Sequence, residues 1–155
     1  VNKYFDLIDQ TYYFPQESFD LEKDELIFNG IPVMNLIEKY GTPFKMTYLP
    51  RIGDQIKKAK NQFNKAMKSL DYDGKYFYCY CTKCCHFSYV LREVLQHDVH
   101  LETSSAFDID LIENLYKDEL IDKDQMIVNN GYKPKQYIQN IANLINSGFK
   151  NAAGK

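Results

Sequence analysis

Tryptophan is absent from this chain, whose aromatic content comes entirely from 13 Tyr and 10 Phe. A dominant charge is also missing. The formal net charge is -2, which gives no electrostatic case for nucleic acid or an anionic membrane as a partner. No run approaches the roughly 20 apolar residues that a membrane helix needs. The opening VNKYFDLIDQ is too polar for a signal peptide and lacks an initiator Met, so we expect a chain processed or cut from something longer. Low-complexity segments, Gly/Ser linkers and sequence repeats are absent. Cysteines spread along the chain are missing as well. All four lie between residues 79 and 85 and cannot staple distant parts of a fold. That argues against a secreted disulfide scaffold and for a reducing, cytoplasmic setting.

What is present suits a globular domain with its own core, at 155 residues with 45% hydrophobic and 26% charged. Residues 1–20 mix Tyr, Phe and acidic residues without period and read as an irregular arm. ELIFNGI (25–31) predicts a hairpin turned at Asn29-Gly30, and 31–40 a short helix stopped by Gly41 and Pro43. Phe44 to Leu49 predicts a strand before Pro50. Ile52, Ile56, Ala59, Phe63, Met67 and Leu70 recur at steps of four and three, one face of an amphipathic helix. After the turn DYDG (71–74), KYFYCYC (75–81) predicts a buried strand by its length and aromatic content.

Strand and helix then alternate. A helix over 88–97 buries Val90, Leu91, Val94 and Leu95, and 98–103 is a strand. Ser105 and Asp108 fit a capping box for a helix carrying Ile109, Ile112, Leu115 and Tyr116. A strand over 125–130 and a helix over 133–148, stopped by Gly148, complete the series. Alternation of this kind means parallel strands with helical crossovers. Apolar strands of this length predict a sheet covered on both faces. The fold class is α/β, with residues 1–49 apart from the βα units of 50–155.

In such folds ligands bind at the carboxyl ends of the strands. Those ends read Thr82-Lys83-Cys84-Cys85, Glu102-Thr103-Ser104-Ser105 and Asn129-Asn130-Gly131-Tyr132, a rim of one lysine with hydroxyls and amides. Strand alternation puts Cys79, Cys81 and Lys83 on one face and Tyr78, Tyr80 and Thr82 on the other. A lysine facing the interior is partly desolvated, which favours the neutral amine that attacks an aldehyde. The bland alternatives are a solvated lysine, a capping box that only starts a helix, and cysteines that behave as small hydrophobes.

The cysteines offer two further readings. C-x-C-x-x-C-C-H contains five soft ligands, but structural zinc usually draws on two separated ligand pairs, and no second cluster exists here. Cys81 and Cys84 also have C-x-x-C spacing, although Thr82-Lys83 does not open a helix as redox motifs do.

Tyr80-Cys81-Thr82-Lys83-Cys84-Cys85 resembles the Y-A-V-K-A-N motif of the fold-type III pyridoxal-phosphate enzymes, the alanine racemase and decarboxylase group. Tyr40-Gly41-Thr42-Pro43-Phe44 is similar to the Y-G-T-P-L/F stretch that precedes their barrel. Leu101-Glu102-Thr103-Ser104-Ser105 resembles their G-L-E-A-G-S segment. Asn130-Gly131-Tyr132-Lys133 with Gln136-Tyr137-Ile138 resembles C-N-G-Y-K-D-x-x-Y-I of biosynthetic arginine decarboxylases. The four matches come in the family's order and span most of residues 40–140. The chain departs from the motif at Cys84 and Cys85, and the family's pyridine-stacking histidine, Gly-rich phosphate loop and C-terminal β domain have no counterpart here.

The resemblance implies an α/β fold that is the N-terminal part of an alanine racemase-like (β/α)8 TIM barrel, a closed form of which takes about 250 residues. Residues 1–49 would belong with the second, β domain and 50–155 would form the first βα units. It implies a pyridoxal-phosphate-dependent amino-acid decarboxylase, with arginine converted to agmatine in polyamine biosynthesis as first choice. Diaminopimelate or ornithine decarboxylase is the sister reading. Lys83 would carry the cofactor and act catalytically, Ser105 and Asn130 would contact the cofactor, with Tyr132 as an alternative contact, and no metal is implied. An amino-acid substrate and a homodimer or higher homo-oligomer are the expected partners, and the 155-residue chain alone is expected to be inactive. From other classes, a non-catalytic thiol or zinc-binding module and a small cofactor carrier of the same fold remain as alternatives.

Overall fold

The computed structural model describes residues 18–149 and the backbone of 152–154. Most of the expected N-terminal arm lies outside the described residues. The chain divides into two compact units, 1–47 and 48–155.

In the first unit β1 (Phe19–Glu22), β2 (Glu25–Phe28) and β3 (Ile31–Pro32) form an antiparallel sheet in that order. Asn29 and Gly30 take φ of 48° and 79°. Two left-handed residues are what a tight hairpin turn of the primed type requires, so the Asn-Gly signal acts as expected. Lys23 and Asp24 turn the preceding hairpin with φ of 49° and 67°. The arm therefore ends as a strand at Phe19, with Phe19 opposite Phe28 and their rings 4.8 Å apart. Helix α1 (Val33–Tyr40) follows, and Gly41 stops it at φ 74°.

The strand expected at Phe44–Leu49 does not form: residues 44–48 have no regular structure. A β-prone run needs a neighbour to pair with, and none of the described strands pairs with it.

The second unit opens with α2 (Pro50–Ser69), the helix read from the apolar spacing. Ile56 is buried, but Phe63 and Leu70 are exposed. Phe63 instead stacks on Tyr76, with ring centroids 4.2 Å apart. Gly53 matters to the docking of α2: a Cβ there would stand 2.4 Å from the His97 ring. Lys60 Nζ donates to His97 O at 3.0 Å and also to Asp98 O, fixing the middle of α2 to the segment before the second parallel strand.

Four parallel strands follow in the order β4 (Cys79–Cys81), β5 (His100–Thr103), β6 (Ile127–Asn129) and β7 (Ala152–Gly154). Between them run α3 (Ser88–Leu95), α4 (Ala106–Lys117) and α5 (Lys135–Asn146). The expected parallel βα alternation is present, with β7 as an additional strand. Strand β4 is shorter than the apolar run KYFYCYC because its neighbour β5 starts only at His100. Lys75–Phe77 outrun their partner, and Phe77 is left exposed.

Leu91, Leu101, Ile109, Ile112, Leu115, Ile127, Tyr137 and Leu144 form the core between sheet and helices. A second cluster joins Ile56 of α2 to Val90, Val94 and Val99. Burial alternates along the strands: Leu101, Thr103, Ile127 and Asn129 are buried, while His100, Glu102 and Val128 are half-buried. Among the described residues the sheet is therefore helix-covered on one face, not on both as the apolar strands led us to expect. No helix among the described residues is long and apolar enough to cross a membrane.

Candidate functional site

Three parallel strands bring their carboxyl ends to one edge. The ladder pairs Cys81 with Glu102 and Glu102 with Val128. Two residues further along each chain stand Lys83, Ser104 and Asn130. Register thus levels Ser104 with the Asn130 amide, whereas Ser105 lies one residue on, where α4 begins.

Lys83 does not continue the strand. Residues 82–84 turn, with Cys84 N–H donating to Cys81 O at 3.1 Å. The turn forms because Thr82 is the last residue that β5 holds: its N–H and its hydroxyl both donate to Glu102 O, at 2.9 and 3.1 Å. Lys83 is exposed rather than desolvated, and its amine has no hydrogen-bond or ion-pair partner among the described residues. Tyr80 anchors the far side of the turn, its hydroxyl donating to Cys85 O at 2.9 Å.

Ser105 caps α4. Asp108 N–H donates to Ser105 Oγ at 3.4 Å, and the buried Asp108 carboxylate accepts the backbone N–H groups of Ser104 and Ser105 at 2.8 and 3.0 Å. The Ser105 hydroxyl accepts in this arrangement, so its own proton stays available to donate. Asn130 is exposed; its Nδ2 donates to Glu102 Oε1 at 3.3 Å and its Oδ1 accepts from Gly131 N–H at 2.7 Å. Gly131 has φ 81°, and a Cβ there would stand 3.3 Å from Ser104 O, so glycine lets the two rim loops meet. Tyr132 is 90% exposed.

The open sheet face below the rim carries Cys79, Cys81 and Glu102. Burial pushes the Cys79 thiol up, and the Glu102 charge adds to the rise. Burial also raises Cys81; the Lys83 backbone N–H opposes the rise, and a hydrogen bond to Glu102 reinforces it. Glu102 is thus the shared acceptor of Cys81 and Asn130. Its place at the centre of the row was not evident from the sequence, though its parity with Cys81 and Asn130 carried the signal.

Three members of the expected polar rim are fully buried: Thr82, held by Glu102 O, and the pair Thr103 and Asn129. Thr103 and Asn129 are fully buried on the helix side, where Thr103 Oγ1 donates to Asn129 Oδ1 at 2.7 Å and lies 2.8 Å from Tyr137 OH. The Thr103 proton is committed to Asn129, so Tyr137 is the donor in the second bond. Burial raises the Tyr137 phenol, and the Thr103 contact partly offsets it. These groups form a polar layer beneath the rim and hold β5, β6 and α5 together.

Burial, followed by the neighbouring Cys85 and Cys84 thiols, pushes the Tyr80 phenol up to about 12 from an ordinary 10.0. Below pH 10 both folded and unfolded chains keep that proton. Between about pH 10 and 12 the unfolded chain releases it first, so stability falls as pH rises. In alkaline urea melts Tyr80→Phe should lose less stability over this window than the parent; equal losses would place the hydroxyl in water.

Among the described residues no group of three or more His, Cys, Asp or Glu side chains is placed to hold a metal ion, and all four cysteines are free thiols. No protein-family model and no curated protein matches the chain.

Proposed function

We propose that this chain is the first part of a (β/α)8 barrel of a fold-type III pyridoxal-phosphate-dependent amino-acid decarboxylase, with arginine as first substrate and diaminopimelate or ornithine as the sister choices. The observation that carries the reading is Lys83. It is an exposed amine, unengaged among the described residues, in the turn at the carboxyl end of a parallel strand.

The residues present fit the cofactor's aldehyde end. Lys83 supplies the amine that would hold it, and the Ser105 hydroxyl and the Asn130 amide are rim donors for its polar edge. The bound cofactor would supply an electron sink for bond breaking at Cα. Glu102, accepting from Asn130 and Cys81, orients the amide and sets a negative charge on the sheet face below the turn that carries Lys83. The capping of α4 by Asp108 fixes Ser104 and Ser105 on their loop. A cytoplasmic homodimer is the assembly that goes with this reading.

The test is borohydride reduction of the protein after incubation with pyridoxal phosphate, followed by tryptic mapping. Modification at Lys83 blocks cleavage there, so the adduct should appear on a peptide spanning Tyr76–Arg92. Labelling scattered over the other lysines, in a form holding the whole barrel, would remove Lys83 from the chemistry.

A further inference from the structure

Cys81 and Cys84 are the first and fourth residues of the hydrogen-bonded turn that presents Lys83. Such a turn brings its end Cα atoms within about 7 Å, and disulfides span Cα separations of about 4.4–6.8 Å. Had β4 run on through Lys83, the same atoms would stand about 10 Å apart, out of reach. A bond between these two thiols is therefore compatible with the turn and incompatible with an extended strand. In the extended form Lys83 would join Cys79 and Cys81 on the open sheet face beside Glu102. Neither cysteine belongs to the Y-A-V-K-A-N pattern that the surrounding residues resemble.

We propose that Cys81 and Cys84 are a reversible redox pair whose disulfide locks the turn that presents Lys83. The oxidant is a low-molecular-weight disulfide. The exposed Cys84 thiolate attacks one sulfur of that disulfide, forming a mixed disulfide and expelling one thiolate. Cys81, giving its proton to the Glu102 carboxylate it faces, then attacks Cys84 Sγ and expels the second thiolate. Both departing thiolates take up the released protons. The cysteine pair loses two electrons and the small disulfide gains them, so that one disulfide and two thiols become one disulfide and two thiols. The burial that raises Cys81 suits the second role, since Cys81 stays protonated until the mixed disulfide stands next to it.

Bond formation does not depend on the decarboxylase reading. The reduced protein is treated with oxidised glutathione, its remaining thiols are alkylated, and it is digested with trypsin. Cleavage after Lys83 separates Tyr76–Lys83 from Cys84–Arg92, so a Cys81–Cys84 bond leaves these peptides joined, while Cys79–Cys81 or Cys84–Cys85 bonds stay within one peptide. Joined peptides, fragmenting to sulfurs 81 and 84 in the wild-type chain and persisting in the Cys79→Ser/Cys85→Ser variant, are expected. Glutathione resting on Cys84, or a bond within one peptide, overturns the pair.

The lock is read separately by amide hydrogen exchange. Cys84 N–H should exchange several-fold more slowly in the oxidised chain, and an unchanged rate overturns the lock.

Discussion

Lys83→Ala in the longest form of the protein should lower decarboxylation by on the order of 10³-fold or more, the scale of losing a covalently acting group. It should leave thermal stability almost untouched. The side chain is exposed and has no hydrogen-bond or ion-pair partner among the described residues, so its removal should shift stability by no more than about 0.5 kcal/mol. This separation gives the variant its value, because a structural lysine would show the reverse. Lys83→Arg keeps the positive charge but offers a guanidinium that stays protonated and cannot act as the amine, so it should be as inactive as Lys83→Ala. Initial rates with arginine, ornithine and diaminopimelate, alongside thermal melts, decide the matter. Wild-type rates in either variant would exclude Lys83 from the chemistry.

How far the sequence spoke depended on whether a feature is local. The helix at Pro50–Ser69 follows from apolar residues at steps of three and four, and the Ser105–Asp108 cap from two residues that bond each other. Asn29-Gly30 turns because both residues tolerate positive φ. Lys23-Asp24 makes the same kind of turn without that composition, held by the pairing of Phe19 with Phe28 across it, so its signal is tertiary. Phe44–Leu49 has the composition of a strand and no pairing strand among the described residues. β7, Ala-Ala-Gly, has the reverse: weak intrinsic preference and a neighbour in register.

At the site, alternation placed Cys79 and Cys81 on one face, but counting on by two to Lys83 did not, because the strand ends where β5 stops holding it. The same alternation, applied to β5 and β6, puts Thr103 and Asn129 on the buried side. Their polarity made them look like rim residues. Only the distant Tyr137 shows why two polar groups tolerate full burial.

Thr103→Val should be among the most destabilising isosteric changes in the chain, at about 2–4 kcal/mol. Valine keeps the volume, so no cavity opens. It removes the acceptor of the buried Tyr137 hydroxyl and one donor to Asn129 Oδ1, and each buried polar group left short of a partner costs about 1–3 kcal/mol. Tyr137→Phe should cost less, about 0.5–1.5 kcal/mol, because Thr103 can still donate to Asn129. The double variant should then be more stable than the sum of the two single losses, since phenylalanine has no hydroxyl to strand. Urea melts of the four proteins measure that coupling. Strict additivity would mean that the hydroxyls of Thr103 and Tyr137 do not bond in solution, and that packing alone joins β5 to α5 beneath the rim.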